Sequence, residues 1–576
     1  MEYIGLSVSK GIAVEQAYLY APLTPEDYLK RIQENNKEIH QSAQECFADA
    51  LRQAKEELKR LLKRVVGHSP EQAKILSAHI EITEDEAMTE DIRLALEEGQ
   101  PLGEAVAAVF DTYIQLFSWS KEERIRERAA DLTDVRNRLL RILAGLPEQD
   151  LSDLLAPCVV FANDLLPADT AGIDRRNVKA IVTEIGGETS HTSIIARSYG
   201  IPCIVGVTDI CKKITSGMPV IVDAVAGRVI PGPTPEVAEE YRTRRDTLLR
   251  QKERTEACRS QPCRLLDGTA VDICVNLAQI TPEALSAAGY ADGVGLFRTE
   301  FLYMGRTAQP GEEEQFVTYR RVLEAFGNKP VVLRTLDIGG DKQVECLRLP
   351  KEQNPFLGER ALRLCFAQPE LFRTQLRAAL RASVYGTLWI MFPMVGSVED
   401  FARARAMLLE EKEALTAAGV SVAENIRIGA MIEIPAMALA ADALAQTADF
   451  ASVGSNDLTQ YLLAVDRTEP AVAKYCQKYH PAVWRCIAMA SEAFVRAGKP
   501  ISICGELGGD ALAAPALIGC GMRKLSMSGG AVAEVKETLM RRSLAECETL
   551  SRALCAAQSA GDAEELLKAF YAKGEN

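Results

Sequence analysis

No stretch of this 576-residue chain stays apolar for the roughly 20 residues a membrane-spanning helix needs, so no insertion in a bilayer is expected. The opening residues, Met1-Glu2-Tyr3-Ile4-Gly5, lack the basic segment, apolar run and small-residue cleavage site of a secretion signal, and a cytoplasmic address is expected. Fifteen cysteines are present, an odd number with no C-x-x-C spacing among them, which argues for reduced thiols and against a disulfide framework or zinc site. No G-x-x-x-x-G-K-[ST] loop occurs, so the chain has no P-loop to cradle a nucleotide. Positive charge is also short. The 66 Lys and Arg against 80 Asp and Glu leave a formal charge of -14, which argues against a nucleic-acid surface and suits a basic protein partner.

What is present is the makings of several soluble units. Hydrophobic residues are 47% and charged residues 25% of the chain, near the globular average. The length favours three or four units, one of them a barrel of about 250 residues. Residues 1–22 read as short strand segments (Tyr3 to Leu6, Ile12 to Val14, Ala17 to Tyr20). From Pro25 to Gly145, apolar residues recur at i, i+3 and i+4 with few glycines or prolines, as in a bundle of antiparallel helices broken near Gly67 to Pro70 and near Gly99 to Pro101. Strand character returns at Cys158, Ala180, Pro202 and Pro219, so the bundle is expected to be inserted into a small α/β domain. Residues 234–258 are charged and helix-prone, a linker helix with Glu236, Arg244, Arg245, Arg250 and Lys252 on its solvated face.

Beyond the linker, eight apolar runs alternate with helical patterns: Val271 to Leu277, Gly293 to Arg298, Val331 to Asp337, Leu388 to Val395, Ile426 to Ile434, Phe450 to Asn456, Ile501 to Gly505 and Lys524 to Ser528. This predicts a (β/α)8 barrel, a fold that places chemistry at the C-terminal ends of its strands. Arg298, Arg334, Asp337, Glu433, Asn456, Asp457 and Cys504 stand at those ends. One such residue could be packing; a polar side chain on several strands at the same end points to a site.

A second candidate is Gly186-Gly187-Glu188-Thr189-Ser190-His191-Thr192-Ser193-Ile194-Ile195-Ala196-Arg197, a glycine turn opening into a helix with Thr189 or Ser190 as its cap and His191 in the first turn. The free amides and dipole there favour a phosphate dianion and disfavour imidazolium, leaving a nucleophilic ring nitrogen near neutral pH. Arg197 is within reach of such a phosphate, for which its planar fork is suited. A lone histidine on a capped helix is usually a surface residue; the glycine pair, the hydroxyls and the arginine together favour a phosphate acceptor.

These segments resemble the Enzyme I family of the bacterial phosphoenolpyruvate:sugar phosphotransferase system, and the resemblance runs over essentially the whole chain. The His191 segment is close to that family's phosphorylation signature. Asp292-Gly-Val-Gly-Leu-Phe-Arg298-Thr-Glu and Arg334-Thr-Leu-Asp337-Ile-Gly-Gly-Asp-Lys342 resemble its first two barrel motifs, and Asn354-Pro-Phe-Leu-Gly-Glu-Arg360, Met431-Ile-Glu433, Gly454-Ser-Asn-Asp457 and Ile501-Ser-Ile-Cys504 match later ones. Pyruvate phosphate dikinase and phosphoenolpyruvate synthase share the histidine segment and barrel, but they need a nucleotide-binding domain for which this chain has no room.

The resemblance implies a multidomain α/β protein: a phosphohistidine domain at 1–22 and 146–232, an inserted helical carrier-binding domain at 23–145, a linker at 233–260, and a barrel at 261–576 that binds phosphoenolpyruvate and dimerises. It implies that His191 accepts the phosphoryl group, with Arg197 and Thr170 supporting it. Arg298, Arg334 and Arg467 would bind the phosphate, with Asn456 and Arg360 also at the substrate. Glu433 and Asp457 would hold Mg2+, hard oxygen ligands of the kind that ion prefers, and Cys504 would protonate the enolate of pyruvate. The implied partner is the histidine-containing phosphocarrier protein, which the acidic run Glu84, Asp85, Glu86 could steer. Glu188, Glu359 and Lys10 stand where the family usually has a basic residue, a tryptophan and a proline. The alternative reading is a regulatory protein that senses phosphoenolpyruvate and transfers phosphate weakly; it gives no reason for an acceptor and a proton donor to occur together.

Overall fold

Two units make up the chain, Met1–Gln251 and Lys252–Asn576. The computed structural model describes residues 2–20, 24–35, 42–65, 70–119, 123–146, 151, 154, 156–165, 169–170, 173–174, 176–188, 190–339, 344–347, 349–350 and 352–573, with the backbone alone for a few of these, His191 among them. The expected helix break at Gly67 to Pro70, the cap candidate Thr189 and the motif end at Lys342 lie wholly or largely outside the described residues.

The first unit is built on one eight-stranded sheet. Its strands are β1 (Tyr3–Ile4), β2 (Leu6–Ser9), β3 (Ile12–Tyr20), β4 (Cys158–Ala162), β5 (Val178–Thr183), β6 (Cys203–Val205), β7 (Pro219–Asp223) and β8 (Arg228–Pro231), in the order β1-β8-β7-β3-β4-β5-β6-β2. β3 is one nine-residue strand where the sequence suggested two short ones. Its first half, Ile12 to Gln16, pairs antiparallel with β7, and its second half, Gln16 to Tyr20, pairs parallel with β4. The polar pair Glu15-Gln16 falls at the exchange of partners, which is why the apolar pattern breaks there.

Six helices among the described residues follow β3, from Pro25–Asn35 to Glu123–Leu143, and pack their apolar stripes around Phe47, Val106, Phe110, Val135 and Leu139. Buried Glu57 accepts hydrogen bonds from Arg138 (2.7 Å) and from Arg141, so its charge is paired inside this bundle. Of the acidic run, Asp85 caps the helix Glu86–Glu97 by accepting from the Met88 amide (2.9 Å), and Glu84 pairs with Lys55. Two of those three carboxylates therefore have local structural duties.

The helix Pro235–Ala257 spans the division between the units. Its solvated face is narrower than expected: Arg244 reaches buried Asp223 (3.2 Å) and stacks on Tyr241, and Arg245 lies 4.0 Å from Glu15.

In the second unit, β9 (Asp272–Leu277), β10 (Val294–Phe297), β11 (Pro330–Arg334), β12 (Thr387–Phe392), β13 (Arg427–Ile432), β14 (Phe450–Gly454), β15 (Ile501–Cys504) and β16 (Lys524–Met527) close into a barrel, every neighbouring pair parallel. Alternate residues of each strand face opposite ways. Leu296, Val332, Trp389, Met391, Met431, Phe450 and Cys504 form one cluster inside the barrel. Their sequence neighbours, such as Val331, Ile390, Ile432, Val453 and Ile503, belong to the larger core beneath the surrounding helices. The inner cluster plugs the barrel, so a ligand can enter only at a rim. No helix among the described residues is long and apolar enough to cross a membrane.

Candidate active site

All nine barrel residues singled out from the sequence (Arg298, Arg334, Asp337, Arg360, Glu433, Asn456, Asp457, Arg467 and Cys504) line one cavity of about 1360 Å³ at the C-terminal rim. Strand parity explains the convergence. Arg334 and Cys504 end β11 and β15 on the inward face, and Arg298 and Glu433 follow β10 and β13 with the same parity.

Charge in this cavity is layered by depth. Arg334, Arg360, Glu300, Asp337, Glu433 and Asp457 are buried, while Arg298 and Arg467 are exposed at the mouth. Arg334 donates through Nη2 to Glu300 Oε1 (2.7 Å), and its Nη1 lies 2.9 Å from Asp337 Oδ2. Arg360 grips Asp337 with both arms, Nε to Oδ1 (2.8 Å) and Nη2 to Oδ2 (3.0 Å), and the same Nη2 reaches Asp457 Oδ2 (3.0 Å). Arg467 Nη2 stands 3.5 Å from Asp457 Oδ1. Burial works against the charge on Arg334, but the carboxylates of Glu300 and Asp337 more than offset it and raise its pKa. Both inner guanidinium groups are therefore permanently charged.

Glu433 is held differently. Its Oε1 accepts the backbone N–H of Met394 (2.5 Å), and its Oε2 packs against Gly454, where a Cβ would come within 2.7 Å of it. Burial, then repulsion from Asp457 and Asp337, push its carboxyl above the usual range, against the pull of Arg334 and Arg360. Cys504 is buried, and its thiol is pushed up to about 11 by that burial, opposed by the Ser452 hydroxyl and then by Arg334. It is a thiol at neutral pH, as a proton donor must be. Asn456 accepts the Glu506 backbone N–H through Oδ1 (3.0 Å), a fixed side chain at the rim.

Backbone strain marks the same site. Ala361, Met394 and Ala464 have φ of 54°, 52° and 51°, which costs an alanine or methionine of order 1–3 kcal/mol each. Each lies next to, or within three residues of, a group that grips the cluster: Ala361 follows Arg360, Met394 supplies the amide to Glu433, and Ala464 precedes Arg467. Such conformations persist only where surrounding contacts hold them.

In the first unit, Ser190 is the cap of the helix His191–Tyr199, accepting from the Ser193 amide (3.3 Å), and Gly186 before it has φ of 127°. His191 is the first residue of that helix. Buried Thr192 donates to the Leu165 carbonyl (3.3 Å), and Asp169 accepts from Tyr20 Oη (2.6 Å), which ties the residue next to buried Thr170 to β3. Arg197 donates Nε to the Val8 carbonyl (3.1 Å) and Nη2 to the Glu188 carbonyl. Its guanidinium closes the turn ahead of His191, and the Glu188 residue is exposed. Glu359 donates its backbone N–H to Glu352 (2.8 Å).

The sequence placed Asp337 at the strand ends but did not single out Glu300, Met394, Gly454 or Tyr461, whose hydroxyl lies 3.4 Å from Arg360 and donates to the Phe356 carbonyl (2.6 Å). Glu300 was within reach, standing two residues from Arg298 in the same motif. Met394 acts through its amide, which no side-chain motif reveals.

Family models match three successive parts of the chain: the N-terminal part of phosphoenolpyruvate-utilising enzymes at residues 4–128, their mobile domain at 155–227 and their phosphoenolpyruvate-binding domain at 252–544. The phosphoenolpyruvate-protein phosphotransferase of Bacillus sp. (strain S) is 40% identical over 567 residues, 98% of this chain and 96% of its own. That of Geobacillus stearothermophilus is 40% identical over 569 residues, with the same shares, and that of Bacillus subtilis (strain 168) is 40% identical over 554 residues, 95% of this chain and 96% of its own. The chain belongs to the phosphoenolpyruvate-protein phosphotransferase family.

Phosphoenolpyruvate-utilising enzymes need a divalent metal, and the donor set here fits one. Two buried guanidinium groups face four buried carboxylates, Glu300, Asp337, Glu433 and Asp457, an excess of two negative charges that a divalent cation cancels. The upward push on Glu433 is the same excess felt at one carboxyl. Among the described residues no three His, Cys, Asp or Glu side chains form a complete metal cage. This matches an ion held by one or two carboxylates and completed by substrate oxygens and water.

Proposed function

We propose that this chain takes the phosphoryl group of phosphoenolpyruvate onto His191, releases pyruvate, and passes the group to the histidine-containing phosphocarrier protein of the sugar phosphotransferase system. One observation carries the reading: a rim cavity in which permanently charged arginines, an excess of buried carboxylates and a protonated thiol face the same space. The likeness to phosphoenolpyruvate-protein phosphotransferases over nearly the full chain supports it.

In this reading Arg298, Arg334 and Arg467 hold the substrate phosphate, and Asn456 and Arg360 orient the rest of the molecule. Their fixed charges meet the oxygens of the transferring group without reorganisation. Glu433 and Asp457 would hold Mg2+, which when bound would supply positive charge to the substrate oxygens. The His191 ring nitrogen attacks phosphorus in line as the bond to the enol oxygen breaks, and Cys504 Sγ then gives its proton to the methylene carbon. Thr170 and Arg197 steady the phosphohistidine turn.

The domain roles follow. Residues 1–22 and 146–232 carry the phosphohistidine, 23–145 dock the carrier, 233–260 link, and 261–576 bind substrate and form a homodimer. Fifteen free thiols and no disulfide support a reducing, cytoplasmic setting. The test is to mix protein, phosphoenolpyruvate and Mg2+ without nucleotide. One pyruvate released per chain is expected, and further turnover only when the carrier protein is added. Binding of phosphoenolpyruvate with no pyruvate would contradict the proposal.

A further inference from the structure

Three serines face the inside of the barrel near its rim, one each on β14, β15 and β16. Ser502 Oγ donates to the Ala451 carbonyl (3.4 Å), and Ser526 Oγ donates to Asn276 Oδ1 (2.6 Å). Ser452 alone of the three has no hydrogen-bond partner among the described residues, although it is completely buried. A buried hydroxyl without a partner is costly, and such exceptions ask for an explanation.

The register supplies one. Ser452 pairs with Ser502, and Gly454, two residues on, pairs with Cys504. Ser452 has the inward parity of Phe450, which belongs to the same inner cluster as Cys504. Gly454 has no side chain to come between the Ser452 hydroxyl and the space beside the Cys504 sulfur. The thiol itself donates to the Val453 carbonyl (3.5 Å), so its proton is directed away from the serine at rest. The hydroxyl already opposes the upward push of burial on this thiol.

We propose that Ser452 is a positioning residue for the proton transfer from Cys504, its Oγ–H waiting for the thiolate that forms only during the reaction. This rests on the reading of Cys504 as the proton donor. In the step, the S–H bond breaks and a C–H bond forms at the enolate methylene carbon. The enolate electron pair makes the new bond as the enol oxygen becomes a carbonyl, and sulfur keeps the pair from S–H as a thiolate. Ser452 Oγ–H donates to that thiolate, an interaction much stronger with the charged sulfur than with the neutral thiol and therefore one that lowers the barrier. Solvent returns a proton to sulfur when product leaves.

The reverse of this step can be watched alone. Full-length protein with Mg2+ and pyruvate in D2O should exchange the pyruvate methyl protons, read by NMR without any phosphoryl transfer. Ser452→Ala is expected to slow exchange by about tenfold to a hundredfold, the worth of a hydrogen bond to a charged group. It should move the rising limb of the exchange profile, where the thiolate that removes the methyl proton forms, to higher pH and leave phosphoenolpyruvate affinity unchanged, with Ser452→Thr restoring most of the rate. Cys504→Ala separates the two claims. If it exchanges as fast as the wild type, the proton-donor reading fails. If it is dead while Ser452→Ala keeps the wild-type rate and pH profile, the inference about Ser452 is overturned.

Discussion

On the proposed reading the barrel rim and the turn before His191 both serve phosphate chemistry, yet they are held together by opposite means. At the rim, charged side chains hold one another: Asp337 is shared by Arg334 and Arg360, and Asp457 by Arg360 and Arg467. At the turn, side chains hold backbone: Ser190 caps the helix, Thr192 and Arg197 bond carbonyls, and the partners are neutral. A site that binds a small trianion benefits from charges fixed before the substrate arrives. A group that must be carried to another protein benefits from a turn whose integrity does not depend on that charge.

The comparison predicts unequal consequences. Arg360→Ala leaves Asp337 and Asp457 short of a buried partner and is expected to destabilise the barrel by about 3–5 kcal/mol, read by denaturant unfolding, and to abolish autophosphorylation. A similar cost for removing Arg197 would break the contrast between the two regions.

Gly454→Ala is next. Its Cβ would press on Glu433 Oε2 and on Met431, so metal binding by calorimetry should weaken tenfold or more while the melting temperature falls only slightly. Then comes pH. The Glu433 carboxyl is held above its usual range, so the folded protein binds that proton more tightly than the unfolded chain. Its stabilising effect is present below the unfolded pKa of about 4.3 and is lost as pH rises through the folded value. Metal-free protein should therefore melt at lower temperature as pH increases towards the alkaline side, and both Mg2+ and Glu433→Gln should flatten the trend. The smallest effect belongs to the turn: Ser190→Ala is expected to cost about 1 kcal/mol, the usual worth of an N-cap.

Much of this was legible in the sequence because barrel strands report their own parity. A short apolar run that ends in an arginine, a carboxylate or a thiol declares both its strand and the end that carries chemistry, and Arg334, Glu433 and Cys504 stand where that rule puts them. What was not legible depends on register between distant segments. Gly454 matters because β13 brings Glu433 against it, Met394 because a strained backbone aims its amide there, and Ser452 because β15 sets Cys504 beside it. The split reading of β3 has the same origin, a change of partners at Glu15-Gln16 that local pattern cannot express. Arg244 looked like a solvated residue for want of knowing that Asp223 lies buried within its reach.

The most direct test of the account is the intact mass of the protein after incubation with phosphoenolpyruvate and Mg2+, beside a His191→Ala variant. One acid-labile phosphoryl group on the wild type and none on the variant is the predicted result. A phosphoryl group on both, or on neither while phosphoenolpyruvate still binds, would contradict it.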